Sequence, residues 1–459
     1  MLDEADLEAA LNASVACVKD AFKVKIACED GAKNDSLWKT TASVDAIVEP
    51  GYTLQSIWWV MWLVVLEYLA LWWQDARLPR LHDNILCLAH ATLYEISKLL
   101  VRGVEYGAYI WVWQNWAIFP PLGNSLLGFI GMVVLIDLGY YWLHRASHEV
   151  SVLWAIHQVH HTSQDLTVAV GLRHSPLQRL FSWVFYLPLA LLGIPPTHML
   201  AHAQFNLLYQ CWIHTEAIRT LGPLEHIFNT PSHHRVHHGA NKYCLDKNYG
   251  GVFILWDHLF GTFQRELSSE EIAYGVLVQP VKFNLLYHQV FYMKYLMGKA
   301  VNMGSWRDGL SALVKGPSWV PGSPWTGWDK DKPDIRGPRE FQQPRATSAT
   351  HCYVLLHFLA ACVLTHHLAA PTSGSLVVFV YSVVVVAALT CIGILYEQPG
   401  YTRVLEMCRC GGGLALCLLF PLPAASNTIL QLLTTLYAFS LTVWIVHPNT
   451  LLVHTPCKS

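Results

Sequence analysis

The sequence predicts an all-α, polytopic membrane bundle with a polar cap on one face, and three observations predict it. The first is composition: of 459 residues, 53% are hydrophobic and only 14% charged, where soluble domains carry about 25% charged residues. Such a chain is apolar on its outside as well as inside. The second is a series of apolar runs close to the ~20 residues that a bilayer core requires. The third is the placing of histidine. Fourteen of the 24 lie between His144 and His238, against about five for even usage.

Taken in order, residues 1–50 are mixed and acidic, with no basic start followed by an apolar core, and read as a non-membrane segment. Residues 51–123 hold the N-terminal membrane helices. Within them 52–73 is a span carrying one carboxylate, Glu67, and 85–119 is one long or broken amphipathic helix. Residues 124–282 form the core: a span that ends polar at 124–148, a polar stretch 149–175, and an apolar stretch 176–216. The last reads as two helices joined at Gly193-Ile194-Pro195-Pro196. Residues 283–350 read as an amphipathic helix and a Gly-, Pro- and Trp-rich linker. Residues 351–459 hold further spans near 352–369, 374–396 and 427–446, with a shorter apolar run at 411–424.

Charge and cysteine narrow the setting. A net charge of −2 gives no electrostatic support for nucleic-acid binding. The 12 cysteines are scattered, with no CxxC pair, and read as reduced thiols. Nineteen tryptophans suit a bilayer–water boundary. If 176–213 crosses and returns, the polar stretches on either side of it share a face. Arg145, Arg173 and Arg235 on those stretches favour the cytosol.

The histidines on that face follow a pattern. His144 and His148 ("HRASH") are four apart and share a helix face. His157, His160 and His161 ("HQVHH") and His234, His237 and His238 ("HRVHH") repeat HxxHH. In a helical turn, positions i, i+3 and i+4 converge, so each HxxHH offers up to three imidazoles to one point. Eight imidazoles exceed the about four ligands of one zinc site and argue for two metal ions. No HExxH is present, since "HEVSV" lacks the second histidine. Imidazole suits Zn, Cu, Fe and Ni alike; a two-iron site uses all eight. His233 reads as a neighbour of the site. His90, His288, His357 and His454 read as satisfied core residues, and His366, His367 and His447 as interfacial.

Helper residues are also legible. Asp137 lies within a span, where a carboxylate is costly, and shares a face with Tyr141, His144 and His148. Glu149 follows His148 directly. Both read as catalytic carboxylates supporting the metals. His202, Asn206, Gln210 and His214 form a polar stripe on the return helix. His214 is a candidate ninth ligand, the alternative being ordinary interhelical hydrogen bonding.

HxxxH followed by two HxxHH between membrane spans resembles the fatty acid hydroxylase superfamily of membrane di-iron oxygenases, which includes sterol desaturases. The resemblance covers 130–265. Its wording, "DLGYYWLHRASHEVSVLWAIHQVHHTSQDL" and "NTPSHHRVHHGANKYCLDKNYGGVFILWDHLFGTF", most resembles the branch that cleaves glyceryl ethers, and the spans beyond 350 fit that branch. The resemblance implies O2-dependent cleavage of the O-alkyl bond of 1-O-alkylglycerols and lyso-alkyl phospholipids to a fatty aldehyde. It further implies two irons, tetrahydrobiopterin with a separate regenerating system, and the endoplasmic reticulum membrane. The chain carries no motif for a pterin pocket. His447-Pro448 is followed by Asn-Thr rather than a haem-binding Gly-Gly, and no GxGxxG follows a strand, so a separate electron donor is required. Other classes are a sterol or fatty acyl hydroxylase using cytochrome b5, a metal transporter, and a structural membrane protein. Transport is disfavoured because the histidines gather beyond the spans.

Overall fold

In the computed structural model, residues 57–100, 104–121, 125–337, 339–368, 375–420 and 427–453 are described. The expected N-terminal segment 1–50 lies outside them. The described residues are helical, with three isolated β-bridges and no strand. Among the described residues, four helices are long and apolar enough to cross a membrane, and the chain is a multi-pass membrane protein.

Helix α1 (Ile57–Trp73), α2 (Leu81–Leu100) and α3 (Val104–Trp116) precede the core. The amphipathic stretch 85–119 falls on α2 and α3, and residues 101–103 between them lie outside the described residues. Helix α4 (Leu126–Glu149) starts at Ser125, whose hydroxyl accepts the Gly128 N–H at 3.1 Å, a side-chain cap on an otherwise unpaired donor. Its 24 residues span about 36 Å, enough to carry its last turns beyond a core of about 30 Å. The buried face runs Met132, Ile136, Asp137, Tyr141, His144, His148, so one stripe changes from apolar to imidazole along its length. Helix α5 (Ser151–His161) follows after one extended residue, Val150.

The stretch after α5 departs from the expected hairpin of two crossing helices. Pro176–Leu180 and Ser182–Tyr186 are 3-10 turns, and α6 (Leu187–Leu191) is a single short helix. Pro176 and Pro188 each lack an N–H, and Ser175 turns its hydroxyl back to Leu177 N, so no continuous span forms. Helix α7 (Pro196–Ile213) is continuous, with Pro196 in its first turn. Its polar stripe keeps it out of the set of long apolar helices. The two histidine stretches nevertheless meet, because His214 at the end of α7 touches His234 and His238.

Two short helices complete this region: α8 (Pro231–His238) and α9 (Leu255–Phe260), which closes on Gly261 at φ 73°, a conformation that suits glycine. Then come α10 (Leu285–Val301), α11 (Trp306–Val314), and the C-terminal helices α12 (Ser348–Leu368), α13 (Ser375–Glu397), α14 (Thr402–Leu419) and α15 (Asn427–Val446). The described part of the apolar run at 411–424 begins within α14, which starts earlier and buries Glu406; residues 421–424 lie outside the described residues. Helices α12 and α13 pack on α2, and one apolar core runs from α1 and α2 through the C-terminal helices. Gly393 of α13 lets the backbone at Phe283 and Asn284 approach where a Cβ would collide.

Residues 300–350, expected as a linker, are packed onto the core. Trp325 Nε1 donates to Glu149 O at 2.6 Å, Asn241 and Ile335 form a β-bridge, and Gln164 exchanges hydrogen bonds with Glu340 O and Gln342 N. Of the strap's tryptophans Trp319 is buried, while Trp306, Trp325 and Trp328 stay exposed, so hydrogen bonds such as these carry much of the docking.

Candidate metal centre

Helices α4, α5, α7 and α8 bring nine histidines into two adjacent groups. His144, His148, His157, His161 and His237 form one; His160, His214, His234 and His238 form the other. Within each, the candidate ligand nitrogens lie within 4.8 Å of one another, and all nine residues are buried. The groups share a wall: His161 stacks on His238 with centroids 4.3 Å apart, and His234 on His237 at 5.1 Å.

This division differs from the expectation that each HxxHH serves one point. Each motif is split. His157 and His161, four apart on α5, face the first group, while His160 faces the second. On α8, His234 and His238 face the second and His237 the first. The i and i+4 positions lie almost one above the other on a helix, whereas i+3 is rotated to the far side of that line. HxxHH is therefore a bridge between two centres. His214, the candidate ninth, lies inside the second group, with its Nε2 at 3.2 Å from His160 Nε2, 3.0 Å from His238 Nε2 and 2.8 Å from His234 Nε2.

Both groups suit metal ions on their own geometry. In the first, the Nε2 atoms of all five histidines are buried with no hydrogen-bond partner. Five buried nitrogens facing one another without partners are costly, and a cation joining them would satisfy all five at once. In the second, four of the nitrogen pairs stand 2.8–3.2 Å apart, the spacing of imidazoles bound at right angles to one ion with bonds of about 2.1 Å. The donors are all imidazole, with no thiolate or carboxylate in either group.

Backbone carbonyls fix the tautomers. His144 Nδ1 lies 2.9 Å from Tyr249 O, His237 Nδ1 2.9 Å from Lys247 O, and His214 Nδ1 2.6 Å from Gln210 O. A carbonyl only accepts, so Nδ1 carries the proton and the Nε2 lone pair faces the centre. Tyr249 and Lys247 belong to a loop held in an unusual conformation, with Asp246 at φ 59° and Asn248 at φ 55°. Asp257, fully buried on α9, accepts the N–H groups of Tyr249 and Gly250, each at 2.7 Å, and the Thr262 hydroxyl at 2.7 Å. Gly250 has no room for a Cβ, which would strike Phe253 O. Across the site, a Cβ on Gly171 would stand 2.7 Å from Cys211 Cα and 3.0 Å from His214 Nδ1.

Neither expected carboxylate hydrogen-bonds a histidine of the two groups. Asp137 touches none of the nine histidines. It accepts from Val252 N (3.0 Å), Phe253 N (3.2 Å) and Trp256 Nε1 (2.9 Å), and so anchors the end of the same loop. Glu149 pairs with Arg145 at 2.9 Å, one turn earlier on α4, and its carboxylate reaches no histidine. At the C-terminal end of α4 its side chain points back along the helix to its i−4 neighbour rather than into the cluster. Sequence reasoning missed Asp257 and gave Glu67 no task. Glu67 accepts the Thr215 hydroxyl at 2.6 Å and Val168 N at 3.1 Å, pinning the turn that carries His214. His233 lies outside both groups, edge-on to Phe263. His90 and His288 are stacked core residues, with His288 Nδ1 3.0 Å from the buried Arg173 guanidinium.

Burial pushes His157 down to about 3 and His237 to about 4, and holds His160, His161, His234 and His238 well below the ordinary 6.5, neighbouring imidazoles adding to the effect for most of them. They are neutral, the form that binds metal. In the metal-free protein the unfolded chain takes up protons below 6.5 while the fold does not. Stability from these groups is therefore present above pH 6.5 and lost as pH falls toward about 4 and then 3. Thermal unfolding of metal-stripped protein is expected at a lower temperature at pH 5 than at pH 7.5. An unchanged midpoint would show that the imidazoles are not held neutral.

Comparison with known proteins agrees with this geometry. The fatty acid hydroxylase family model matches residues 129–262. Alkylglycerol monooxygenase of Danio rerio is 40% identical over 82% of this chain and 84% of that protein. The Xenopus tropicalis protein of that name is 36% identical over 79% and 81%, and the Homo sapiens one 37% identical over 79% and 81%. No solved structure matches. With relatives this similar along most of both chains, and with the histidine groups inside the matched region, the chain belongs to the alkylglycerol monooxygenase family of the fatty acid hydroxylase superfamily.

Proposed function

We propose that this protein is an O2-dependent monooxygenase that cleaves the O-alkyl bond of 1-O-alkylglycerols and lyso-alkyl phospholipids, with two irons and with tetrahydrobiopterin as reductant. The observation that carries the reading is the pair of buried, all-imidazole groups set side by side in a membrane chain of this family. His144, His148, His157, His161 and His237 would hold one iron, and His160, His214, His234 and His238 the other. Iron bound there supplies oxygen activation. The chain's own part is to present neutral Nε2 lone pairs, fixed by the carbonyls of Tyr249, Lys247 and Gln210, and to exclude water through burial of all nine rings.

The substrate follows from the setting. A site at the end of membrane helices receives its reacting carbon from the bilayer. In an ether lipid, the first alkyl carbon lies just below the headgroup, near the depth at which these histidines emerge. Oxygenation of that carbon gives a hemiacetal, which collapses to a fatty aldehyde and a free glycerol hydroxyl. The second oxygen atom leaves as water, with two electrons from the pterin. The reading places the protein in the endoplasmic reticulum membrane with its metal face toward the cytosol. The nine described cysteines are free thiols, and Arg145, Arg173 and Arg235 lie on the metal-face segments, as that orientation favours.

Membranes containing the protein are expected to release long-chain aldehyde from 1-O-alkylglycerol when given O2 and tetrahydrobiopterin. The ester-linked analogue should release none, because its first chain carbon is a carbonyl with no hydrogen to remove. Trapping and quantifying aldehyde decides it. A hydroxysterol or 2-hydroxy acid formed with cytochrome b5 as the preferred donor would refute the ether-lipid assignment.

A further inference from the structure

The strap formed by residues 300–350 lies outside the region matched by the family model, yet it reaches the loop that orients two of the nine imidazoles. Lys332 Nζ stands 3.0 Å from Asp246 Oδ2 and 2.9 Å from Asp329 Oδ1, and its side chain is only 5% exposed. Asp246 is the first of the two left-handed residues that flank Lys247. That backbone conformation is unfavourable for a residue with a Cβ and persists only where surrounding contacts enforce it. The far end of the loop is enforced from inside: Asn248 Nδ2 donates to His233 O and Gln264 O, and Asp257 takes the N–H groups of Tyr249 and Gly250. At the near end, Lys332 supplies the side-chain contact to Asp246. Between these two anchors lie the Lys247 and Tyr249 carbonyls that hold His237 and His144. Both histidines belong to the five-imidazole group, and none of the four in the other group is held by this loop.

We propose that Lys332 is a positioning residue for the five-imidazole metal site: through Asp246 it holds the carbonyl loop that orients His237 and His144, and the strap thereby sets retention of one metal ion and not the other. The proposal rests on the metal-centre reading given above. A long ammonium side chain suits the task, since it spans from the strap to the loop while its stem is buried.

The test uses the full chain in detergent, loaded with ferrous iron, and follows iron release to a ferrous-specific chromogenic chelator. Lys332→Met keeps the stem and removes the charge. One iron per chain is expected to leave about 10-fold faster, the usual size of a loss next to a ligand, while the other leaves at the wild-type rate. The metal-free unfolding midpoint should stay unchanged. Arg336→Met is the control, because it removes a strap cation whose pairing with Asp334 is exposed. Lys332→Arg, which keeps a cation on a long stem beside Asp246 and Asp329, should retain slow release. In a His214→Ala background, which disables the four-imidazole group, the remaining iron should be the fast one; a fast phase that disappears there overturns the assignment. If Lys332→Met does not accumulate, Asp246→Asn interrogates the same pair from the other side. Wild-type release rates in both variants overturn this inference alone. A wild-type chain that takes up no iron overturns the metal centre, and this inference with it.

Discussion

Replacing His161 or His238 with alanine is expected to bring O2-dependent aldehyde release to background while leaving the protein inserted in the membrane. These two rings stack across the boundary between the groups, so losing either opens one centre and removes packing from the other. The same outcome is expected for His144, His148, His157, His160, His234 and His237. It extends to His214, whose Nε2 sits among three other ligand nitrogens. His226→Ala is the appropriate control: it lies in the same histidine-rich region but is exposed and belongs to neither group. His288 is a poor control. Its removal would deprive the buried Arg173 of an acceptor and cost stability for a reason unrelated to metal. Iron per chain, resistance to carbonate extraction and activity should be measured together. Full activity in two or more of the nine variants is incompatible with the two-metal centre.

Asp257→Ala should be the most damaging change among residues that do not face the metals. It strands the Tyr249 and Gly250 N–H groups, both buried, while the Thr262 hydroxyl keeps the Tyr141 hydroxyl as a partner. Each unmet buried group costs about 1–3 kcal/mol, so a loss of about 3–5 kcal/mol is expected. Iron should be lost with it, because the Tyr249 carbonyl then no longer holds His144 Nδ1. Asp137→Ala acts on the other end of the same loop by freeing Val252 N, Phe253 N and the Trp256 indole, and a similar direction is expected. Thermal unfolding and iron content of the purified variants check both. Wild-type values for Asp257→Ala would mean that the Asn248, Asp137 and Lys332 contacts hold the loop without it.

Some of this site was legible because ligand chemistry is local. Imidazoles three and four residues apart on a helix are neighbours whatever the rest of the chain does. That is why all eight motif histidines and the stripe ending at His214 could be identified. What the pattern could not supply was the partition. Which ring of "HQVHH" faces which centre depends on the rotation of α5 against α4 and α8, and on α7 delivering His214 between them. The carboxylates were harder still. Asp137 was noticed because a buried charge in a span is costly, but its partners are backbone N–H groups more than a hundred positions away in sequence. Asp257 sits in "WDHLF" with no motif to mark it. Glu149, beside a ligand in sequence, is turned away from it by one step of helical rotation.

Composition and short-range spacing were enough for the helical membrane class, for the gathering of the histidines and for the resemblance to a known superfamily. Three other features emerge with folding. It replaced the expected crossing at 176–191 with 3-10 turns and a short helix, since prolines there remove the donors that a span needs. It converted the supposed linker at 300–350 into a strap bearing on the metal face. It also assigned the roles of Glu67, Asp137, Asp257 and Lys332, each through contacts with segments distant in sequence or with backbone atoms. A backbone N–H or carbonyl carries no residue identity, so a site built on such groups leaves no trace in the order of side chains until the chain is folded.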